Sequence, residues 1–418
     1  MKTLIRFILI FTIFEAYIAC SQVNFAVDES LCADTANCVT SKGMLRFEDS
    51  YFVGGGKIDI LIVNDNSASM STEQKKLAEK FNLFIEKLED RFVDYRIAIT
   101  TTDISNKVDF GSNNNAPRDI NKNGALQDGN LLVFPNGQSF LEPVSWDLKG
   151  AARQTEIAKQ VSAFKTTLVS PQTLQCEQFI ANWVTNHNNS LATTNSTEYG
   201  QEYYKNCPSG DERGIYAAQL VLEKNSSAFI RPDAHLVMIF LSDENIRSDG
   251  ISTQGGASFD FVDLSDGLVE KFNAKFQNTG KNFKAHSLVV KDDSCLAQQN
   301  NQVLGTPPVN ATKGFVRGSI GHEYLLLSQK TGGVSGDICA SDYTSQISDM
   351  EVQTKNLPIV LKCSQAKDVA VQLLDATGTV IKDLEFEIQG SELKIKDTFT
   401  AGTEISIVQF CDPSLINK

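Results

Sequence analysis

The chain has 418 residues and a formal net charge of −13, with 38 lysines and arginines against 51 aspartates and glutamates. That length holds one large domain and a smaller one, and 41% hydrophobic residues supply a real core. The acidic balance argues against a nucleic-acid binder, which would show a basic stripe, and against docking on anionic lipid headgroups.

Met1 to Ala19 read as an export signal, with Lys2 and Arg6 ahead of the apolar core Phe7 to Phe14. Glu15 interrupts that core, so a permanent membrane span is not expected. Of nine cysteines, setting Cys20 aside leaves an even set suited to an oxidising compartment. Pairing of sequence neighbours gives Cys32–Cys38, Cys176–Cys207, Cys295–Cys339 and Cys363–Cys411, out of about 105 connectivities. Cys32 and Cys38 free, or paired elsewhere, is the alternative. No Cys-x-x-Cys spacing supports a zinc site or thioredoxin chemistry. Residues 20–56 read as a spacer with a small cysteine loop. The run Gly54-Gly55-Gly56-Lys57 precedes a strand and lacks the spacing of a phosphate loop.

Lys57 to Val63 form a near-continuous apolar run of the kind buried on both faces of a parallel sheet, ending at Asp65, Ser67 and Ser69. Ser71 opens a helical pattern with Phe81, Phe84, Ile85 and Leu88 on one face. A carboxylate and two hydroxyls at the carboxyl end of a strand, beside a helix start, are hard oxygen donors suited to a cation of the magnesium type. The plainer alternative is a capped helix start with Ser69 or Ser71 as N-cap. Tyr95 to Thr100 read as a second strand, followed by a polar insertion to about Ala151, mostly helical residues 152–186 and an Asn/Ser/Thr-rich loop to Cys207. Gly214 to Leu222 (helix), His235 to Leu241 (strand), Phe259 to Phe276 (helix), Phe283 to Val290 (strand) and Glu323 to Thr331 (helix) complete an alternating pattern. Such alternation implies an α/β, doubly wound, mostly parallel sheet over residues 57–350.

Within the insertion, Asp119, Asn121, Asn123 and Asp128, with Gly124 sixth in the run, match the start of a calcium loop. The twelfth position is Asn130 instead of the bidentate glutamate, so an ordinary polar turn is the competing reading. Residues 351–418 change to short strands around Pro358–Lys362, Val369–Leu374, Leu384–Ile388, Leu393–Ile395 and Ile405–Phe410, predicting a small all-β, sandwich-like domain.

The spacing Asp65-x-Ser67-x-Ser69 after an apolar strand resembles the metal-ion-dependent adhesion site of von Willebrand factor A domains. The resemblance covers about Lys57 to Met350 and implies a Rossmann-like fold. It also implies a further carboxylate after a later central strand, which Ser242-Asp243-Glu244 supplies as Asp243. In that scheme Ser67 and Ser69 ligate the cation, Asp65 and Asp243 ligate it directly or through water, and a partner's carboxylate fills the remaining position. Mg2+ is the first expectation, with Ca2+ or Mn2+ as alternatives. The family's middle loop normally offers a threonine; Ser209-Gly210-Asp211-Glu212-Arg213-Gly214 has none, leaving Ser209 or Glu212 for that place. A glutamate there adds negative charge, which either favours calcium or closes the site to an acidic ligand.

Tyr17-Ile18-Ala19-Cys20 resembles the bacterial lipoprotein cleavage box, although Tyr17 departs from the usual leucine, and makes Cys20 the lipid-bearing residue. Ser21 after it matches the pattern sorted to the outer membrane. The segment from Tyr324 to Tyr343 resembles the closing part of bacterial A-domain lipoproteins, where a tie such as Cys295–Cys339 is expected. The expected protein is therefore a non-enzymatic, lipid-anchored envelope protein, facing periplasm or cell surface. Its expected role is to bind a protein ligand through a cation, for adhesion or complex assembly. A structural protein with a silent metal site is one rival. A hydrolase is the other, but neither His-Glu-x-x-His nor Gly-x-Ser-x-Gly occurs, and His187, His235, His286 and His322 read as packing or surface residues.

Overall fold

The structure, a computed structural model, describes residues 38–41, 43–52, 57–90, 93–104, 126–187, 196–208, 212–232, 234–246, 261–276, 281–300, 318–355, 359–363, 365–375, 378–396 and 404–415. The expected export signal, Cys20, Cys32, Ser209, Asp119, Asn121 and Asn123 lie outside them.

In chain order the elements begin with β1 (Cys38–Ser41), β2 (Met44–Phe52), β3 (Ile58–Asn64), α1 (Ser71–Asp90), β4 (Tyr95–Thr101), α2 (Gly150–Leu168), α3 (Pro171–Asn186) and α4 (Thr197–Asn206). Then come α5 (Gly214–Lys224), β5 (His235–Ser242), α6 (Ser265–Phe276), β6 (Phe283–Val289), α7 (Asp293–Gln299), α8 (His322–Thr331), β7 (Ser335–Asp337) and α9 (Thr344–Lys355). The chain closes with β8 (Ile359–Val360), β9 (Lys367–Leu374), β10 (Val380–Asp383), β11 (Phe386–Gln389), β12 (Glu392–Ile395) and β13 (Glu404–Cys411).

A parallel sheet in the order β4-β3-β5-β6-β7 forms the centre of the α/β unit. β3 and β5 are buried along their whole length because helices cover both faces. Ile58, Ile60 and Ile62 pack with Leu77, Phe81 and Phe84 of α1 and with Phe164, Ile347 and Met350 from α2 and α9. Leu61 and Val63 point the other way, against Ile215, Leu222, Leu268, Phe272 and Tyr324 from α5, α6 and α8. Phe81 stacks on Phe84 and Phe164 at 4.7 and 4.6 Å, and truncating so buried a ring typically costs about 3–5 kcal/mol. The one charge inside β3, Asp59, is neutralised at the far end of the sheet by Arg231 at 2.8 Å and Lys281 at 3.6 Å.

The connection from β3 through α1 leads outward to β4 on one side. The chain then returns to the opposite side of β3 for β5 and continues away to β6. β3 and β5 therefore flank the switch point of the sheet, where open α/β folds leave a crevice at the strands' carboxyl ends. The expected mostly parallel sheet is wholly parallel, with the three-residue β7 as an unanticipated fifth strand.

Several local expectations differ from the structure. The segment read as a spacer contributes β1 and β2: β2 pairs antiparallel with β13 through eight residue pairs, from Phe52 with Glu404 to Leu45 with Cys411. Its alternation explains this, since Leu45 and Phe47 face inward and are buried while Arg46 and Glu48 stay in water. The α/β unit is thus inserted between β2 and β8 of the β-rich unit. That unit consists of a five-stranded sheet, β1-β2-β13-β9-β10, and a three-stranded one, β11-β12-β8, sharing a core of Leu361, Val371, Leu384, Leu393 and Ile405. The boundary expected at residue 350 falls inside α9, whose Ile347 and Met350 belong to the α/β core. The helical stretch 152–186 is two helices, because Pro171 starts a new one after Ser170. The polar loop before Cys207 contains α4, capped by Ser196 accepting from the Tyr199 amide at 3.1 Å. Disulfides join Cys176–Cys207, Cys295–Cys339 and Cys363–Cys411, and Cys38 is also disulfide-bonded. Among the described residues no helix is long and apolar enough to cross a membrane.

Candidate metal centre

The amide of Asp65 donates to the carbonyl of Leu241 at 2.9 Å, extending the β3–β5 pairing one step beyond the strands. This register sets Asp65 beside Ser242 and Asp243 at the switch point. Asp65 Oδ1 accepts from the Ser67 amide at 2.8 Å, and Asp65 Oδ2 accepts from the Ser242 hydroxyl at 2.8 Å. The hydroxyls of Ser67 and Ser69 lie 3.0 Å apart, and Ser69 Oγ donates to Asp243 Oδ1 at 3.1 Å. A relay of contacts thus runs from Asp65, through the Ser67 amide and then the hydroxyls of Ser67 and Ser69, to Asp243. Ser67 precedes a 3-10 turn at Ala68–Met70 without capping it through its side chain, so its hydroxyl is spent on the relay and not on starting a helix.

The first turn of α3 holds the loop from behind. Gln74 Nε2 donates to the Asp65 carbonyl at 2.8 Å and to Thr173 Oγ1 at 3.1 Å, and Thr173 donates to the Asn66 carbonyl at 2.9 Å. Cys176–Cys207 then ties α3 to the end of α4, in a small cluster that includes Ala68.

Glu212 joins the same group and Ser209 lies outside the described residues. Glu212 Oε2 lies 3.5 Å from the same Ser242 hydroxyl that bonds Asp65 Oδ2 at 2.8 Å, so the two carboxyls meet at Ser242. Asp65, Glu212 and Asp243 are all buried. Burial is the largest cause raising the proton affinity of each. For Glu212 and Asp243, which end well above the usual carboxylate range, the charges that add to it are other carboxylates, first Asp65 and then Glu244. Oδ2 of Asp243 is buried with no hydrogen-bond partner. An unsatisfied carboxylate oxygen amid mutually repelling acids is what a divalent cation would relieve, and hard oxygens from Asp, Ser and Glu form an apt donor set.

Sequence reasoning passed over several members of this neighbourhood. Ser242 bridges Asp65 and Glu212 from the last position of β5. Glu73 is fully buried in the first turn of α1 and raises Asp243 by its charge; in the sequence it reads as an ordinary acid at a helix start. Asp103 pairs with Glu212 as an isolated bridge and contacts the Thr101 hydroxyl. Of the residues expected to serve the second calcium loop (Asp119, Asn121, Asn123 and Asp128), Asp128 alone is described. It adopts φ 51° beside Gly129, its amide bonds the Asp103 carbonyl at 3.2 Å, and its carbonyl accepts from Lys224 at 2.6 Å, so its backbone serves a turn.

Asp337 lies with Cys295 and Cys339 in a tight group of metal-type ligands, but the two sulfurs are bonded to each other and offer no thiolate. His235 Nδ1 accepts from the Asn282 amide and His286 Nδ1 from the Val334 amide, while His187 stacks on Trp183.

No family model matches the chain, and no curated protein matches it. Among solved structures, the pilus adhesin SpaC from Lactobacillus rhamnosus GG, in its open conformation, covers 89% of this chain and 41% of its own at 12% identity and a TM-score of 0.31. The human COPII-coat protein Sec24c covers 89% and 46% at 10% identity and 0.32. The manganese-loaded Plasmodium vivax TRAP protein covers 88% and 98% at 9% identity and 0.30. The chain spans less than half the length of SpaC and Sec24c. Overlap this loose assigns no family, and the mixed α/β architecture with its parallel sheet stands on the strand pairing itself.

Proposed function

We propose that this protein binds a partner protein through a divalent cation held by Asp65, Ser67, Ser69, Asp243 and Glu212, in the service of adhesion or assembly of an envelope complex. The observation that carries the reading is the Asp65–Ser67–Ser69–Asp243 relay closing over the switch point with Asp243 Oδ2 left without a partner. The cation supplies the positive charge the cluster lacks and a coordination position for a ligand oxygen. The protein's own part is to fix the oxygens: the strand ends place Asp65 and Asp243, the 3-10 turn orients Ser69, and α3 buttresses the loop. The role is binding and not catalysis. Export and a lipid anchor at Cys20 belong to the same reading, supported by disulfides that suit an oxidising compartment.

A second reading is favoured by the Ser242 hydroxyl, which lies 2.8 Å from Asp65 Oδ2 and 3.5 Å from Glu212 Oε2 and so links the two carboxyls without any ion. The site would then be silent and the fold purely structural. Capture of partners from envelope extracts separates the two. The binding reading expects capture to vanish in chelator and in the double variant Asp65→Ala, Ser67→Ala, with thermal unfolding little changed. Capture indifferent to both treatments would support the silent site.

A further inference from the structure

We infer that Glu212 is a preset ligand that gives the site three carboxylates, so that it selects calcium over magnesium and receives its partner through a neutral oxygen, a carbonyl or hydroxyl, instead of a carboxylate. The inference rests on the proposed cation site and deepens it.

Glu212 is held from three directions. Its own backbone bridges to Asp103, and the next amide, of Arg213, donates to the Thr102 carbonyl at 3.1 Å. The Arg213 guanidinium grips Asp263 with two bonds of 2.7 Å, both side chains being buried. A bidentate pair of this kind fixes direction as well as position. Gly214 then passes beneath Tyr324, where a Cβ would lie 2.5 Å from the Tyr324 hydroxyl. The turn is therefore clamped at Glu212 and at the two residues that follow it, and its buried carboxylate meets that of Asp65 at the Ser242 hydroxyl. Asp243 Oδ2, buried and without a partner, is the second observation that points to a cationic ligand here.

Charge and size then decide the ion and the ligand. Three carboxylates exceed the charge of a divalent cation by one, so a fourth from the partner would meet a net negative centre, whereas a neutral oxygen would not. Magnesium demands octahedral geometry at about 2.0–2.1 Å and keeps several waters, for which a buried site leaves little room. Calcium accepts about 6–8 oxygens at longer and more variable distances and sheds water readily, which suits mixed carboxylate and hydroxyl donors on separate elements.

The full chain would be titrated with calcium chloride and magnesium chloride by calorimetry, alongside Glu212→Thr and the nearly isosteric Glu212→Gln. The expected result is one Asp65-dependent ion, with calcium bound at least about tenfold tighter than magnesium and that ratio falling about tenfold in both variants. With terbium as a probe, luminescence decay in water and heavy water counts the waters on the ion. Added acetate should leave that count unchanged in the natural chain and lower it by about one in Glu212→Thr. An unchanged calcium-to-magnesium ratio in both variants, or acetate displacing water from the natural chain, overturns the inference while leaving the cation site standing. Absence of any Asp65-dependent ion removes the proposed function and the inference together.

Discussion

Ser69 donates its hydroxyl to Asp243 over 3.1 Å although 174 positions of sequence separate them. The contact exists because β3 and β5 are neighbours in a parallel sheet and both end at the same edge, Asn64 level with Leu241. It joins the two halves of an oxygen cluster in which Asp243 keeps one buried oxygen unsatisfied.

Removing that charge should have opposite effects with and without metal. In chelator, Asp243→Asn relieves repulsion from Asp65 and Glu244 and should raise the melting temperature by about 1–2 °C, worth about 1 kcal/mol. In saturating calcium the natural chain should gain about 2.7 kcal/mol at a hundredfold excess over Kd, and the variant almost nothing. Differential scanning calorimetry of both proteins under both conditions checks this; equal metal gains would refute it.

The same cluster fixes the sign of a pH effect. Asp65, Glu212 and Asp243 bind protons more tightly folded than unfolded, because burial disfavours their charged forms. The folded state therefore holds more protons above the ordinary carboxylate range, and metal-free stability should fall as pH rises through the raised values. Calcium competes with those protons, so the metal-induced rise in melting temperature should grow from acid toward neutral pH. Thermal melts with chelator and with calcium across that range provide the measurement, and a metal gain that shrinks with rising pH would contradict it.

Much of this site is legible in the sequence because its acidic side chains stand at strand ends. The apolar run before Asp65 and the one before Asp243 each announce a buried strand, and parallel pairing brings such ends together. What escaped is whatever depends on packing across elements. Glu73 looks like a routine acid in a first helical turn until Asp243 is set beside it. The β2 strand shows alternation, but its partner β13 lies at the other end of the chain, so residues 44–52 read as a spacer. α4 has a Ser196 cap but few aliphatic residues, its buried face being built from Tyr199 and its neighbours around the Cys176–Cys207 bridge.

Gly214 tests the clamp on Glu212. Gly214→Ala places a methyl 2.5 Å from the Tyr324 hydroxyl and 3.2 Å from Thr102 Cγ2, an overpacking that should cost about 1–3 kcal/mol. Adding Tyr324→Phe removes the nearer clash and should recover more than half of the loss in urea denaturation. No recovery would show that the Tyr324 hydroxyl is not the obstacle.

His286 predicts an acid sensitivity independent of the metal. Buried in β6, its ring accepts the Val334 amide at 2.9 Å, and burial pushes its pKa down to about 3. Since the unfolded chain takes up this proton from about pH 6.5 downward and the folded one does not, stability is present above that value and lost below it. The loss should reach about 1.4 kcal/mol near pH 5.5 and vanish in His286→Gln, measured against the natural chain at each pH so that the carboxylate cluster cancels. Identical acid profiles for the two proteins would exclude the effect.

The most direct test is anomalous diffraction from crystals soaked in manganese. A single ion peak within bonding distance of Asp65, Ser67, Ser69 and Asp243, with the carboxyls of Asp65 and Glu212 drawn apart to face it, is the expected result. A switch point that stays free of the ion in saturating manganese, with Asp65 and Glu212 still paired, would contradict it.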